Sequence, residues 1–88
     1  MLNYLWVITM SEKKFDYAEN YKNLGLKIQY YRKMRGYTQE TFAEAVDISA
    51  SFVSQIESVA TLKGVSLEIL FRMAEVLEVE PYQLFKED

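Results

Sequence analysis

At 88 residues, half of them hydrophobic and 26% charged, the chain is long enough for one small globular domain and too short for two. It contains no Cys and no His, which excludes disulfides, thiolate or imidazole metal sites, cysteine nucleophiles and the commonest general base. No catalytic residue, metal site, cofactor or small-molecule substrate is therefore expected, and the net charge of −3 is the wrong overall sign for a nucleic-acid binder unless basic residues are gathered locally.

Residues 1–10 read MLNYLWVITM, an uncharged apolar run too short to span a bilayer and lacking the basic start of a signal peptide. Membrane insertion and secretion are not expected, which leaves the cytoplasm. The high β-propensity of this run would put Tyr4, Trp6 and Ile8 on one face of a strand. Nothing else in the chain reads as a strand, so its partner would be the same segment of a second copy. The alternative is that Met10 is the true start and the first nine residues are an upstream extension without function. Residues 1–20 are read as an extension and 21–88 as the folded domain.

The remainder reads as all-α. Tyr21, Leu24, Ile28 and Tyr31 form the apolar stripe of a first helix that ends at Gly36, with Lys22, Lys27, Gln29, Arg32 and Lys33 around it. The charges are uneven along the chain: residues 1–21 sum to −1, 22–63 to +2 and 64–88 to −4, with no acidic residue between Lys22 and Gln39. A local basic face is compatible with an acidic total. Thr38 is placed to cap a short second helix over 39–46, with Phe42, Ala43 and Val46 inward. Asp47 is expected in the left-handed conformation, and Ser49 caps a third helix running from Ala50 to about Ser58. Two short helices joined by about three residues have the spacing of a helix-turn-helix.

At 100° per residue, Val53 and Ile56 lie on the inner face of the third helix and Glu57 turns inward beside them. A buried carboxylate needs a partner, and Arg32 on the shoulder of the first helix is the best placed to form a bidentate structural pair. The outer face carries Ser51, Gln55 and Ser58, flanked by Ser54 and Ala50. These side chains are small or amide-bearing, capable of hydrogen bonding, and equally compatible with a plain solvated serine-rich face.

The order of Gly25, Ile28, Arg32, Gly36, Thr38-Gln39, Phe42-Ala43, Val53-Ser54-Gln55-Ile56-Glu57, Leu67 and Ala74-Glu75-Val76-Leu77 resembles the lambda-repressor-like (Cro/C1-type, XRE) helix-turn-helix family over about residues 23 to 86. The resemblance implies a five-helix DNA-binding domain whose third helix enters the major groove of double-stranded DNA. It implies base contacts from Ala50, Ser51, Ser54 and Gln55. Phosphate contacts would come from Tyr37, Thr38, Gln39, Ser58 and Lys63, and Arg32 and Glu57 match the family's inter-helix ion pair. Three departures stand out. Asp47 replaces the usual turn glycine and puts a negative charge near the DNA side. The loop after Glu57 is longer and more apolar than usual, and no Arg stands on the reading face. Phe52, at the border of the inner face, reads as edging the core beside Ile56, the alternative being a thymine methyl contact.

Ser66 caps a fourth helix with two apolar stripes. Leu67, Leu70, Phe71, Ala74 and Leu77 are expected to face the core, leaving Ile69, Met73 and Val76 to be covered by something else. Pro81 opens a last short helix bearing Tyr82, Leu84 and Phe85. A homodimer interface is expected from Ile69, Met73, Val76, Tyr82 and Phe85, with or without Tyr4, Trp6 and Ile8. The function expected is a dimeric transcriptional regulator reading a palindromic operator. The alternative is a helix-turn-helix fold used for protein contact, as in an antitoxin-like partner.

Overall fold

Helix α1 spans Ala18–Met34, α2 Gln39–Val46, α3 Ala50–Glu57 and α4 Leu67–Leu77, followed by a four-residue 3-10 helix over Pro81–Leu84. These elements come from a computed structural model, in which residues 15–87 are described. The strand expected around Tyr4, Trp6 and Ile8 lies outside those residues. Among the described residues there is no strand, and no helix is long and apolar enough to cross a membrane.

Three of these helices start at a capping polar residue, whereas α1 follows Tyr17, which makes no side-chain cap. Thr38, Ser49 and Ser66 sit at the N-caps of α2, α3 and α4 with extended backbone, and each side-chain oxygen accepts the N–H of the residue three on. At Thr38 the arrangement is reciprocal, because its own N–H donates to Thr41 Oγ1 at 2.9 Å.

The ends of α1, α2 and α4 share one solution, while α3 ends at Ser58 in extended backbone. A residue with positive φ turns the chain, and the next N–H reaches back five residues: Tyr37 to Arg32 beyond Gly36, Ile48 to Ala43 beyond Asp47, and Val79 to Ala74 beyond Glu78. Only the first of these turns uses glycine. Asp47 and Glu78 hold φ of 65° and 60° as non-glycine residues, which costs backbone energy that the closed carbonyls help offset.

The core gathers Leu24 and Ile28 from α1, Phe42, Ala43 and Val46 from α2, and Val53 and Ile56 from α3. Leu70, Met73, Ala74 and Leu77 of α4 and Leu84 of the 3-10 helix complete it. Gly25 lies buried where α1 crosses α3, and a Cβ there would collide with the Ile56 carbonyl oxygen, so the crossing distance depends on glycine. Two arginines tie distant helix ends. Arg35 Nε donates to the Leu77 carbonyl at 2.7 Å, and Arg72 Nη1 donates to the Val46 carbonyl at 2.9 Å.

Two expectations are corrected. Among the described residues there are four α-helices, not five, because the element after α4 is a single 3-10 turn closed by Gln83 N–H to Glu80 O and Phe85 N–H to Tyr82 O. Four residues, Pro81–Leu84, make up this turn, the usual length of a 3-10 helix. The inner face of α4 is also rotated relative to the sequence reading. Met73 is fully buried, whereas Leu67 is 66% and Phe71 53% exposed. The cause is the position of α2: Arg72, one turn before Val76, reaches the α2 C-terminus, so that flank of α4 is covered and Ile69 and Val76 pack half-buried against the core.

Candidate nucleic-acid interface

The presentation of α3 depends on what holds its two ends. Ser49 Oγ accepts the Phe52 N–H at 3.0 Å at its start. At its end, Glu57 is buried and receives the guanidinium of Arg32 in bidentate fashion, Nε to Oε2 at 2.6 Å and Nη2 to Oε1 at 2.9 Å. The pair is the one expected from the sequence. Arg32 also donates from Nη1 to the Tyr37 carbonyl at 2.8 Å, fixing the link that leads into α2. Two amides complete the cluster on Glu57 Oε1, Gln39 Nε2 at 3.0 Å and Gln29 Nε2 at 3.4 Å. A charge taken out of water is thus met by hydrogen bonds from α1 and α2 together.

This network sets the relation of α2 to α3 and was only half visible in the sequence. The ion pair follows from helical angles, but the two glutamines were missed there. Gln29 was within reach of the same reasoning, because it lies three residues before Arg32 on the same side of α1.

With its inner face and ends engaged, α3 leaves Ser51, Ser54 and Gln55 exposed, spaced as one stripe along the helix. Their side chains make no hydrogen bond among the described residues. Ala50 stands apart from them, half-buried and packed against the core. Phe52 also packs half-buried against the core, and the Lys63 ammonium lies over its ring at 5.4 Å from the centroid. The loop after α3 therefore returns its one cation to the flank of α3.

The other expected phosphate contacts fall at the start of α2 and the end of α3. Thr38 and Gln39 stand at the N-terminus of α2, where the first backbone N–H groups lack helical acceptors. The Gln39 amide gives one N–H to Glu57 and has a second to offer. Tyr37 is half-buried, its ring 5.8 Å from that of Phe42 and its carbonyl taken by Arg32. Ser58 is half-buried, and its hydroxyl accepts the Ala60 N–H at 3.2 Å. Asp47, wholly exposed in the turn between α2 and α3, lies 3.9 Å from Arg72 Nη1, a separation too long and too solvated to neutralise it.

Of the residues expected at a dimer interface, Met73 belongs to the protomer's own core, Ile69 and Val76 are half-buried, and Tyr82 and Phe85 are exposed. Tyr4, Trp6 and Ile8 lie outside the described residues.

Comparison with known proteins is consistent with this geometry. Residues 28–84 match the helix-turn-helix family. The chain is 40% identical over 60 residues to the HTH-type transcriptional regulator YazB of Bacillus subtilis, an alignment covering 68% of this chain and 84% of that protein. Among solved structures, the restriction-modification controller protein C.AhdI of Aeromonas hydrophila superposes with a TM-score of 0.70 at 28% identity, covering 76% of this chain and 98% of that one. The N-terminal DNA-binding domain of SinR from Bacillus subtilis superposes with a TM-score of 0.66 at 31% identity, over 74% and 93% of the two chains. A capped helix pair locked by a buried ion pair, matched in sequence across most of its length, places the chain in the helix-turn-helix family.

Proposed function

We propose that the protein is a sequence-specific, DNA-binding transcriptional regulator that inserts α3 into the major groove. The observation that carries this reading is the stripe of Ser51, Ser54 and Gln55, exposed and unengaged on a helix whose every other attachment is satisfied. A Gln can pair bidentately with adenine, and Ser can approach either a donor or an acceptor. The kinship with a named transcriptional regulator and with a DNA-binding domain supports the same role. Phosphates would be met by the α2 N-terminus around Thr38 and Gln39 and by Lys63, with Tyr37 and Ser58 at the margins. Without Arg on the stripe, discrimination would also draw on DNA shape.

A homodimer suits this role, because two-fold symmetry sets paired reading helices about one DNA turn apart. The side chains available for it are Leu67 and Phe71 of α4 with Tyr82 and Phe85, all exposed, and the half-buried Ile69 and Val76. In this role the protein acts in the cytoplasm, alongside the DNA it reads.

Selection from a random duplex library at moderate salt tests the assignment, with a Gln55→Ala, Ser51→Ala double variant run alongside. Enrichment of a palindromic site that the variant loses is expected, and Gln55→Ala alone should weaken that site by about 1–3 kcal/mol. No enrichment by a folded, dimeric protein would sink the reading in favour of a protein partner.

A further inference from the structure

The segment that follows α3 is fastened at three points. At Ser58 the hydroxyl accepts the Ala60 N–H at 3.2 Å and the carbonyl accepts the Thr61 N–H at 3.3 Å, which turns the chain as it leaves the helix. Lys63 then lies with its ammonium over the Phe52 ring, 5.4 Å from the centroid. Gly64 sits against the Tyr21 ring of α1, where an added Cβ would meet the ring at an ordinary contact distance of 3.7 Å. Two aromatic rings from two helices thus bracket the one cation of this segment.

Phe52 occupies a boundary of α3. Gln55, three residues on, is exposed on the stripe proposed to read bases, and Ile56, four residues on, is buried. The ring packs half-buried against the core and still carries an exposed lysine on its face. Residues 58–67 contain no Asp or Glu that could hold Lys63 instead. A ring attracts the ammonium as a whole charge, so N–H donors among its three stay available to an anion. A long lysine side chain loses rotamer freedom when it is fixed on a partner, and the ring fixes it beforehand.

We propose that Phe52 is a positioning residue for DNA binding. It holds the Lys63 ammonium on the flank of α3 that Phe52 shares with Gln55, so that the cation meets a backbone phosphate with its side chain already ordered. The role rests on the reading of α3 as the helix that enters the groove.

Two measurements on the full chain test it. The first needs no DNA: the methylene protons of Lys63 should resonate upfield of ordinary lysine in the nuclear magnetic resonance spectrum, because the ring shields them. Phe52→Leu should remove that shift and Phe52→Tyr should keep it. The second is affinity for a mixed-sequence duplex at several salt concentrations. Phe52→Leu should weaken it about two- to fivefold at low salt, the equivalent of an exposed cation–π contact, while Phe52→Tyr retains it. In a Lys63→Met background, Phe52→Leu should have no further effect, a result that a general loosening of the core would not give. Lys63 protons at their ordinary positions in the unaltered chain would overturn the proposal, as would equal weakening by Phe52→Leu with and without Lys63. Duplex binding without the ring shift would sink this role alone, whereas a ring shift without duplex binding would sink the reading of α3 along with it.

Discussion

The side-chain amide of Gln39, the first residue of α2, donates to the carboxylate of Glu57, the last residue of α3, across 3.0 Å. The start of one helix is thereby tied to the end of the other, and the helix pair is braced by a contact that engages one N–H of the amide. Gln39→Ala should lower stability by about 1 kcal/mol, the usual worth of such a bond. Gln39→Glu should cost more, because it sets a second carboxylate against Glu57. Urea unfolding of the two variants ranks them, and equal stabilities would show that the bond is not formed in solution.

Removing Arg32 strands a buried carboxylate. Arg32→Ala should cost about 3–5 kcal/mol, a large part of what a domain of this size has to lose. Replacing both partners, Arg32→Met with Glu57→Leu, should recover most of that loss, because neither charge is then desolvated. A double variant no more stable than Arg32→Ala would mean that the pair does more than satisfy its own burial.

At Gly25 two effects oppose each other. Alanine would favour the helix by about 1 kcal/mol if space allowed. The Ile56 carbonyl occupies the place of the new methyl group, and forcing α1 from α3 should cost about 1–3 kcal/mol or more. Gly25→Ala is therefore expected to lower the melting temperature, and a rise would show that the crossing has room to spare.

Lys63 is the sole cation between Gly36 and Phe71, and it rests on the Phe52 ring. If it meets a phosphate, Lys63→Met should weaken binding to all duplexes alike and reduce the slope of log affinity against log salt by about 0.9. Binding measured at several salt concentrations gives that slope. An unchanged slope would remove Lys63 from the phosphate contacts.

Much of this arrangement was legible because it is local. The caps at Thr38, Ser49 and Ser66, the left-handed Asp47 and the inward turn of Glu57 each depend on a few neighbouring residues and the fixed angle of a helix. The inner face of α4 was not legible, because Leu67 and Phe71 on one side and Ile69, Met73 and Val76 on the other give overlapping stripes. Periodicity alone does not choose between them; the position of α2 does. The contacts of Arg35 with Leu77 and of Arg72 with Val46 join residues 42 and 26 positions apart, and nothing near either arginine announces its acceptor. Of the four residues expected to face bases, Ser51, Ser54 and Gln55 are exposed, while Ala50 is drawn toward the core by packing that the helical angle alone does not reveal.

Everything that fastens α3 lies at its two ends and on its buried side, and the side chains of Ser51, Ser54 and Gln55 take no part. The stripe proposed to read bases is therefore separate from the residues that hold α3 in place. Exchanges among polar side chains at those three positions should leave stability within about 0.5 kcal/mol, as at other exposed sites. If α3 reads DNA through these side chains as proposed, a lineage carrying this scaffold can change its preferred site by drift at three codons, with no compensating mutation elsewhere in the fold.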